Sequence, residues 1–291
     1  MKWYNSNFVR DTDIPNEFEI RVDNLVPMLD RKRCLWDDKL EKFIILYEDE
    51  AVTKDLKKKF EVFFKKNKWS ENDVIVYHSN NNLIEKNFYP FDNFFMECKS
   101  LLNNNYFSET DYENKKSKRY NCLNNSANKH RDYIYKGLQD KNLLSFGYVS
   151  YIDKGIRLPN YLEEKKTFSQ WRWDTLNYKI TSNTYFNIVT ETHHDIEHDF
   201  DSKFITEKTC KAIISQPFIF VGNVNNLRYV KEKGFETYSE IFDESYDTIN
   251  NPKERLDFVL NEIERVCNME EKKLKDLYQS VIWKIKHNMK V

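Results

Sequence analysis

The chain has 291 residues, with 46 Lys and Arg against 47 Asp and Glu and a formal net charge of −1. That length corresponds to two domains of roughly 100–200 residues each, or to one large domain. Hydrophobic residues make up 40% of the chain, with 21 Phe and 18 Tyr among them, enough for a sizeable core, and this excludes an intrinsically disordered chain. The balanced charge excludes the global basic footprint of a general nucleic-acid binder, although a local basic patch is compatible with it.

No apolar run reaches the ~18 residues of a membrane-spanning helix. The start, Met1-Lys2-Trp3-Tyr4-Asn5, has no apolar signal-peptide region, so a cytoplasmic location is expected. The five cysteines, at 34, 98, 122, 210 and 267, are odd in number and form no CxxC pair, and they read as reduced thiols. Abundant Asn, Lys, Phe, Tyr and Ile point to an AT-rich source.

In chain order, Phe43-Ile44-Ile45-Leu46-Tyr47 is a short apolar strand that runs into Glu48-Asp49-Glu50. Residues 54–66 space Leu56, Phe60, Phe63 and Phe64 at helical intervals among lysines. Val74-Ile75-Val76-Tyr77 is the next strand and ends at His78. Buried strands followed by amphipathic helices predict β/α units on a mostly parallel sheet, with ligands at the strand tips. The polar segment 108–118 reads as a linker.

A second α/β series follows. Strands are predicted over 120–123, 146–152, 185–190 and 218–221, and helices over 129–139, 204–214 and 227–233, the last stopped by Gly234. Residues 154–181, with Trp171-Arg172-Trp173, read as an irregular excursion. Two helices close the chain, over 252–266 and 270–286. The expected fold class is therefore α/β, two Rossmann-like domains facing a cleft, with a helical C-terminus. The expected domains are an acceptor-side unit over 1–117, a nucleotide-sugar unit over 118–268 and a final helix over 269–291.

Two segments carry chemistry. In Ile205-Thr206-Glu207-Lys208, Thr206 is a plausible N-cap. The free N–H groups behind it, with Lys208, would form an anion site, and Glu207 suits a ribose diol. In the segment from Tyr120 to Arg131, a strand and the Asn124-Asn125-Ser126 loop lead to Arg131 near a helix start. A cation opposing the helix dipole there is better explained by a bound anion, whose geometry a guanidinium matches. Each reading competes with a bland one, a charged first turn and a surface arginine respectively.

These segments, with Asn187-Ile188-Val189-Thr190-Glu191 between them, resemble the C-terminal nucleotide-sugar domain of fucosyltransferase-like glycosyltransferases. Asn124, Arg131, Glu191 and Ile205-Thr206-Glu207-Lys208 follow in the family's order, as does the Pro-containing strand Gln216-Pro217-Phe218-Ile219-Phe220. The run through Gly234-Phe235-Glu236-Thr237 and Asp243-Glu244-Ser245-Tyr246-Asp247 is similar to proteins frequent in phages and marine bacteria. The resemblance covers about half the chain, over 118–265. It implies a GT-B architecture and a GDP- or UDP-sugar donor. Arg131 and Lys208 would meet the donor phosphates, Glu207 the ribose, and Glu191 the sugar or ribose side. The family's Glu-Asn-(Ser/Thr) is Glu191-Thr192-His193 here, and His193 or His194 would lie near the leaving diphosphate.

The expected activity is transfer of a sugar from a nucleotide-diphosphate sugar to an acceptor hydroxyl, by inversion or retention. The acceptor would be a glycan or a hydroxymethylated pyrimidine of phage DNA. A divalent metal is not expected to be required. Glu48, Asp49 and His78, at N-terminal strand tips, are the candidates for the catalytic base. One alternative is a non-catalytic module that holds nucleotide or glycan. A second is a zinc hydrolase, because His194-Asp195-Ile196-Glu197-His198 reads H-x-x-E-H, a pattern that requires a helix. Here it follows a strand directly, so a solvated loop without a metal is expected.

Overall fold

The computed structural model describes residues 33–37, 42–47, 58, 61–62, 64–65, 70–78, 88–90, 112–159, 162, 178–197 and 205–291. The chain divides into two compact units, Met1–Asn93 and Phe94–Val291, a division that falls ahead of the linker expected over 108–118. Tyr112, inside that stretch, is buried, and its carbonyl accepts from Gln279 Nε2 at 2.9 Å.

The first unit holds a sheet in the order β1-β2-β3-β4, formed by Arg33–Asp37, Lys42–Tyr47, Val74–His78 and Phe88–Pro90. β1 runs antiparallel to β2, while β2, β3 and β4 are parallel. Of the lysine-rich segment, residues 58, 61, 62, 64 and 65 are helical, with Phe64 buried and Lys58 and Lys65 exposed. Lys58 and Lys65 lie on a wet face, as charge runs on amphipathic helices commonly do.

The second unit is an α/β body on a wholly parallel sheet. Its strands are β5 (Lys118–Asn124), β6 (Gly147–Tyr151), β7 (Thr184–Thr190) and β8 (Phe218–Val221), in the order β6-β5-β7-β8. Its helices are α1 (Lys129–Asp140), α2 (Tyr178–Thr181), α3 (Glu207–Ile213), α4 (Asn226–Glu232), α5 (Pro252–Cys267) and α6 (Glu271–Asn288). Trp171, Arg172 and Trp173 lie outside the described residues. Among the described residues no helix is long and apolar enough to cross a membrane.

Burial follows from covering both faces of a parallel sheet. All four residues of β8 are buried, as are six of the seven of β7. Near-continuous apolar runs, rather than alternation, mark such strands. Phe186 of β7 meets Phe242 edge-on, with ring centroids 5.2 Å apart. The last helix is part of this body: Leu274, Tyr278, Val281 and Ile285 of α6 are buried in the same core. Pro252 opens α5 in its first turn, where Asn251 caps the amides of Lys253 and Glu254.

The strand order sets up the functional geometry. From β5 the chain goes to β6 on one side, then crosses over to β7 on the other. The carboxyl ends of β5 and β7 thus flank the point where the winding reverses, the place where open α/β sheets take ligands.

α1 packs on α5 through Gly137, where an added Cβ would stand 2.3 Å from Leu260 Cδ1. Leu260 is only 4% exposed and has little room to yield. Replacing Gly137 by Ala should therefore destabilise, by about 1–3 kcal/mol of overpacking, despite alanine's better helix propensity. Urea melts of G137A, L260A and the double variant should show coupling, with the alanine at 137 tolerated once Leu260 is cut back. Additive penalties would contradict this packing.

Candidate functional site

The carboxyl ends of β5 and β7 meet the starts of α1 and α3, and a dense set of polar side chains fills the junction. Its centre is Glu191, which directly follows β7 and is fully buried. Its carboxylate accepts from the Thr206 amide at 2.9 Å, the Thr206 hydroxyl at 2.5 Å, the Thr192 amide at 3.2 Å and the Thr209 hydroxyl. A buried carboxylate needs such donors, because an unpaired charge in the interior costs several kcal/mol. Glu191 was expected to line the sugar or ribose. Instead its carboxylate fills the N-terminus of α3, where the helix dipole favours an anion.

Arg131 departs from expectation in the same way. It is 3% exposed, and its guanidinium donates to the carbonyls of Ser126 at 3.0 Å, Glu191 at 2.9 Å and Thr190 at 3.3 Å. The fork expected at a donor phosphate thus ties the β5–α1 loop to the end of β7. Asn124, also buried, accepts from the Thr190 hydroxyl and donates to Cys122 Sγ at 3.5 Å. Burial pushes the Cys122 thiol up to about 12, which makes it a protonated core group.

Thr206 caps α3 as the sequence predicts, accepting from the Lys208 amide at 3.3 Å. Glu207 and Lys208 are half-buried. Lys208 Nζ donates to Glu207 Oε1 at 2.7 Å, Thr192 Oγ1 at 3.1 Å and Thr206 Oγ1 at 3.4 Å. Burial pushes the Glu207 carboxyl up, but Lys208 and then Lys211 outweigh it and hold it below its ordinary value. His193, Glu207 and Lys208 are therefore the expected binding residues that remain partly open. Asn124, Arg131, Glu191 and Thr206 form the buried frame behind them.

The segment after Glu191 is a turn. Glu197 N–H donates to the His194 carbonyl at 3.0 Å, so the described part of the H-x-x-E-H pattern, His194 to Glu197, is a turn and not a helix. His198 lies outside the described residues, and among the described residues no group of three His, Cys, Asp or Glu could hold a metal ion. Glu197 serves α1 instead. It accepts from the His130 amide at 3.2 Å and lies 2.9 Å from His130 Nδ1, while His130 Nε2 lies 2.8 Å from the Glu191 carbonyl.

The His194 ring is fully buried and stacks on His130 at 5.2 Å and 17°. Asp195 bridges His194, at 2.9 Å, to Arg255, whose guanidinium also donates to the carbonyls of Gly222 at 3.2 Å and Ile249 at 2.5 Å. Burial pushes the Asp195 carboxyl up, yet the His194 hydrogen bond and the Arg255 charge hold it below the usual range.

Sequence reasoning missed His130, Asp195 and Arg255, and it gave Glu197 only a zinc role. A signal existed for two cations. Arg131 shares a buried helical face with Ile134 and Leu138, and Arg255 shares one with Val259, Glu262 and Val266. A charge on an apolar stripe must find internal partners. Of the catalytic candidates, Glu48 and Asp49 lie outside the described residues; His78 ends β3, and its side chain lies outside them. Asp243 and Asp247 serve as caps: Asp243 accepts from Ser245 N–H, and Asp247 from the Leu227 and Arg228 amides at the start of α4.

Comparisons with protein-family models, with curated proteins and with solved structures return no match to this chain.

Glu197 provides a direct check on this frame. Burial pushes its carboxyl up, but the hydrogen bonds and charge at His130 dominate and bring it down to about 2 from an ordinary 4.5. A depressed carboxylate contributes stability above its unfolded value and loses it as pH falls through the folded one. Wild type should exceed Glu197→Gln in urea midpoint at pH 7, and the difference should shrink as pH falls from about 4.5 toward about 2. A constant difference would mean that the Glu197 charge does no work at α1.

Proposed function

We propose that the protein is a nucleotide-sugar-dependent glycosyltransferase, with its donor diphosphate at the carboxyl ends of β5 and β7. The observation that carries this reading is convergence. The point of reversed winding gathers Thr192, Glu207 and Lys208, residues from two distant segments, beside one another. Parallel α/β sheets take ligands at such points, and the residues brought there suit a diphosphate and a ribose.

In this reading Lys208 exchanges part of its contact with Glu207 for the departing phosphate charge, and Glu207 turns to the ribose diol. Thr192 and Thr206, already bonded to Lys208 Nζ, hold the ammonium in place before donor arrives. Sugar transfer develops negative charge on the leaving diphosphate, and a preorganised donor aimed at developing charge contributes about 2.7–4 kcal/mol by analogy with oxyanion holes. The buried frame of Arg131 and Glu191 acts through position, fixing β7 and α3 so that Lys208 stays within reach.

The GT-B arrangement belongs to the same proposal, with the first unit as a second Rossmann-like domain across a cleft and Glu48, Asp49 or His78 supplying the base. The proposed acceptors are a glycan and a hydroxymethylated pyrimidine of DNA. The proposed donors are GDP- and UDP-sugars.

The reading predicts that one nucleoside diphosphate, GDP or UDP, raises the melting temperature of the full chain. A ligand at about 100 times its Kd stabilises by about 2.7 kcal/mol. Lys208→Ala should keep the melting temperature of the free protein within about 2 °C and lose at least tenfold in affinity, about 1.4 kcal/mol. Equal affinity in wild type and variant would overturn the site. Binding without sugar transfer to glycan or hydroxymethylated DNA would make the chain a binding module.

A further inference from the structure

Asn128 stands where a helix wants a cap, yet its side chain is used for something else. It is the N-cap of α1, and its carbonyl accepts from Asp132 N–H at 2.9 Å. Asparagine suits that position because its side-chain oxygen can accept from a first-turn amide. Here the side chain makes no cap bond. Glu197, from the turn after β7, reaches the His130 amide at 3.2 Å in its place. Asn128 Nδ2 donates instead to the Thr192 carbonyl at 2.8 Å.

We propose that Asn128 is a positioning residue for Lys208, released from capping so that it sets where Thr192 stands. The link has two steps. Asn128 holds the Thr192 carbonyl, and the Thr192 hydroxyl accepts from Lys208 Nζ at 3.1 Å. The Thr192 amide is also held, by the Glu191 carboxylate at 3.2 Å. A β-branched side chain has few χ1 choices, so a fixed Thr192 backbone places its hydroxyl.

An anchor must itself be fixed, and the loop before Asn128 is. Ala127 N–H donates to Asp153 Oδ2 at 2.9 Å, Asp153 N–H to the Asn125 carbonyl at 3.0 Å, and Arg131 Nη1 to the Ser126 carbonyl at 3.0 Å. The division of labour between Glu197 and Asn128 also follows from their chemistry. A carboxylate gains from the positive end of the helix dipole, where a neutral amide oxygen gains less. An ionised carboxylate has no proton to offer a carbonyl, whereas the asparagine amide has two. Each side chain therefore takes the partner that the other serves less well or not at all.

The effect on ligand binding rests on the donor-site reading above; the link from Asn128 to Lys208 does not. Two measurements on the full chain keep them apart. The first is NMR of the nucleotide-free protein with Asn128→Ser. Serine is as good a cap as asparagine, but its hydroxyl is too short to hold the Thr192 carbonyl. Amide exchange should quicken at Thr192 and stay unchanged at His130, and the Lys208 side-chain resonances should shift. Thr192→Val, which removes the hydroxyl at nearly constant shape, should shift Lys208 too, and adding Asn128→Ser to it should shift Lys208 no further. An exchange rate unchanged at Thr192, a rise at His130 as large as that at Thr192, or an unmoved Lys208 would overturn the proposal.

The second is affinity for GDP and UDP in the same variants. Asn128→Ser and Thr192→Val should each weaken binding about two- to tenfold, the worth of one hydrogen bond. The double variant should bind no worse than Thr192→Val, because Asn128 reaches Lys208 through that hydroxyl. Additive losses would mean that Asn128 acts by another route and would overturn its positioning role. Asn128→Asp, which can cap but offers the carbonyl no donor, carries the same expectations if the serine variant fails to fold. If neither nucleotide binds the wild-type protein, the donor-site reading fails, while the first measurement still decides whether Asn128 positions Lys208.

Discussion

The second unit depends on how the buried Glu191 carboxylate finds its hydrogen-bond donors in the interior. It ends the central strand, is fully buried, and collects amide and hydroxyl donors from Thr192, Thr206 and Thr209. Its own carbonyl receives Arg131. One residue therefore ties β7 to the start of α3 through its side chain and to α1 through its backbone. Hydrogen bonds to charged groups contribute about 1.5–3 kcal/mol each, and leaving a buried partner unmet costs more than the bond gains. Truncating any one member strands the rest, so these elements are expected to hold their geometry together.

The same device recurs along the carboxyl edge of the sheet. The N-termini of α1, α3 and α4 receive Glu197, Glu191 and Asp247, each a carboxylate of this chain. Helix N-termini are natural anion seats, and here the chain satisfies them itself. Lys208 remains partly open, with Glu207 and Thr192 beside it, and is the cation that the proposed function assigns to an external anion. Arg131 and Glu191 are spent on internal hydrogen bonds, and in the proposed function they act as positioning groups behind Lys208.

Much of the fold was legible because its signals are local. The apolar runs that became β2, β3 and β8 are short and uninterrupted, that of β7 is broken only at Asn187, and Thr206 and Pro252 mark helix starts by their own chemistry. β1 and β4 were missed: Arg33–Asp37 and Phe88–Pro90 carry too few apolar residues in series to stand out. At the site, side chains that the order of motifs assigned to a ligand are held by internal hydrogen bonds. Asn124, Arg131 and Glu191 have the residue types of ligand contacts, and whether such groups face a ligand or the interior depends on partners 15 to 66 residues away. No local pattern encodes those partners. The buried stripe through Arg131, Ile134 and Leu138 was the one local hint, and it pointed inward.

If the carboxyl ends of β5 and β7, with Lys208 as the reaching cation, form the proposed ligand site, a bound nucleotide must shield them. Amide hydrogen exchange of the full chain, with and without saturating GDP or UDP, tests it most directly. The account predicts added protection in the segments 190–197 and 205–211, and little change in α5 and α6. Protection confined to other segments, or none with either nucleotide, would contradict it.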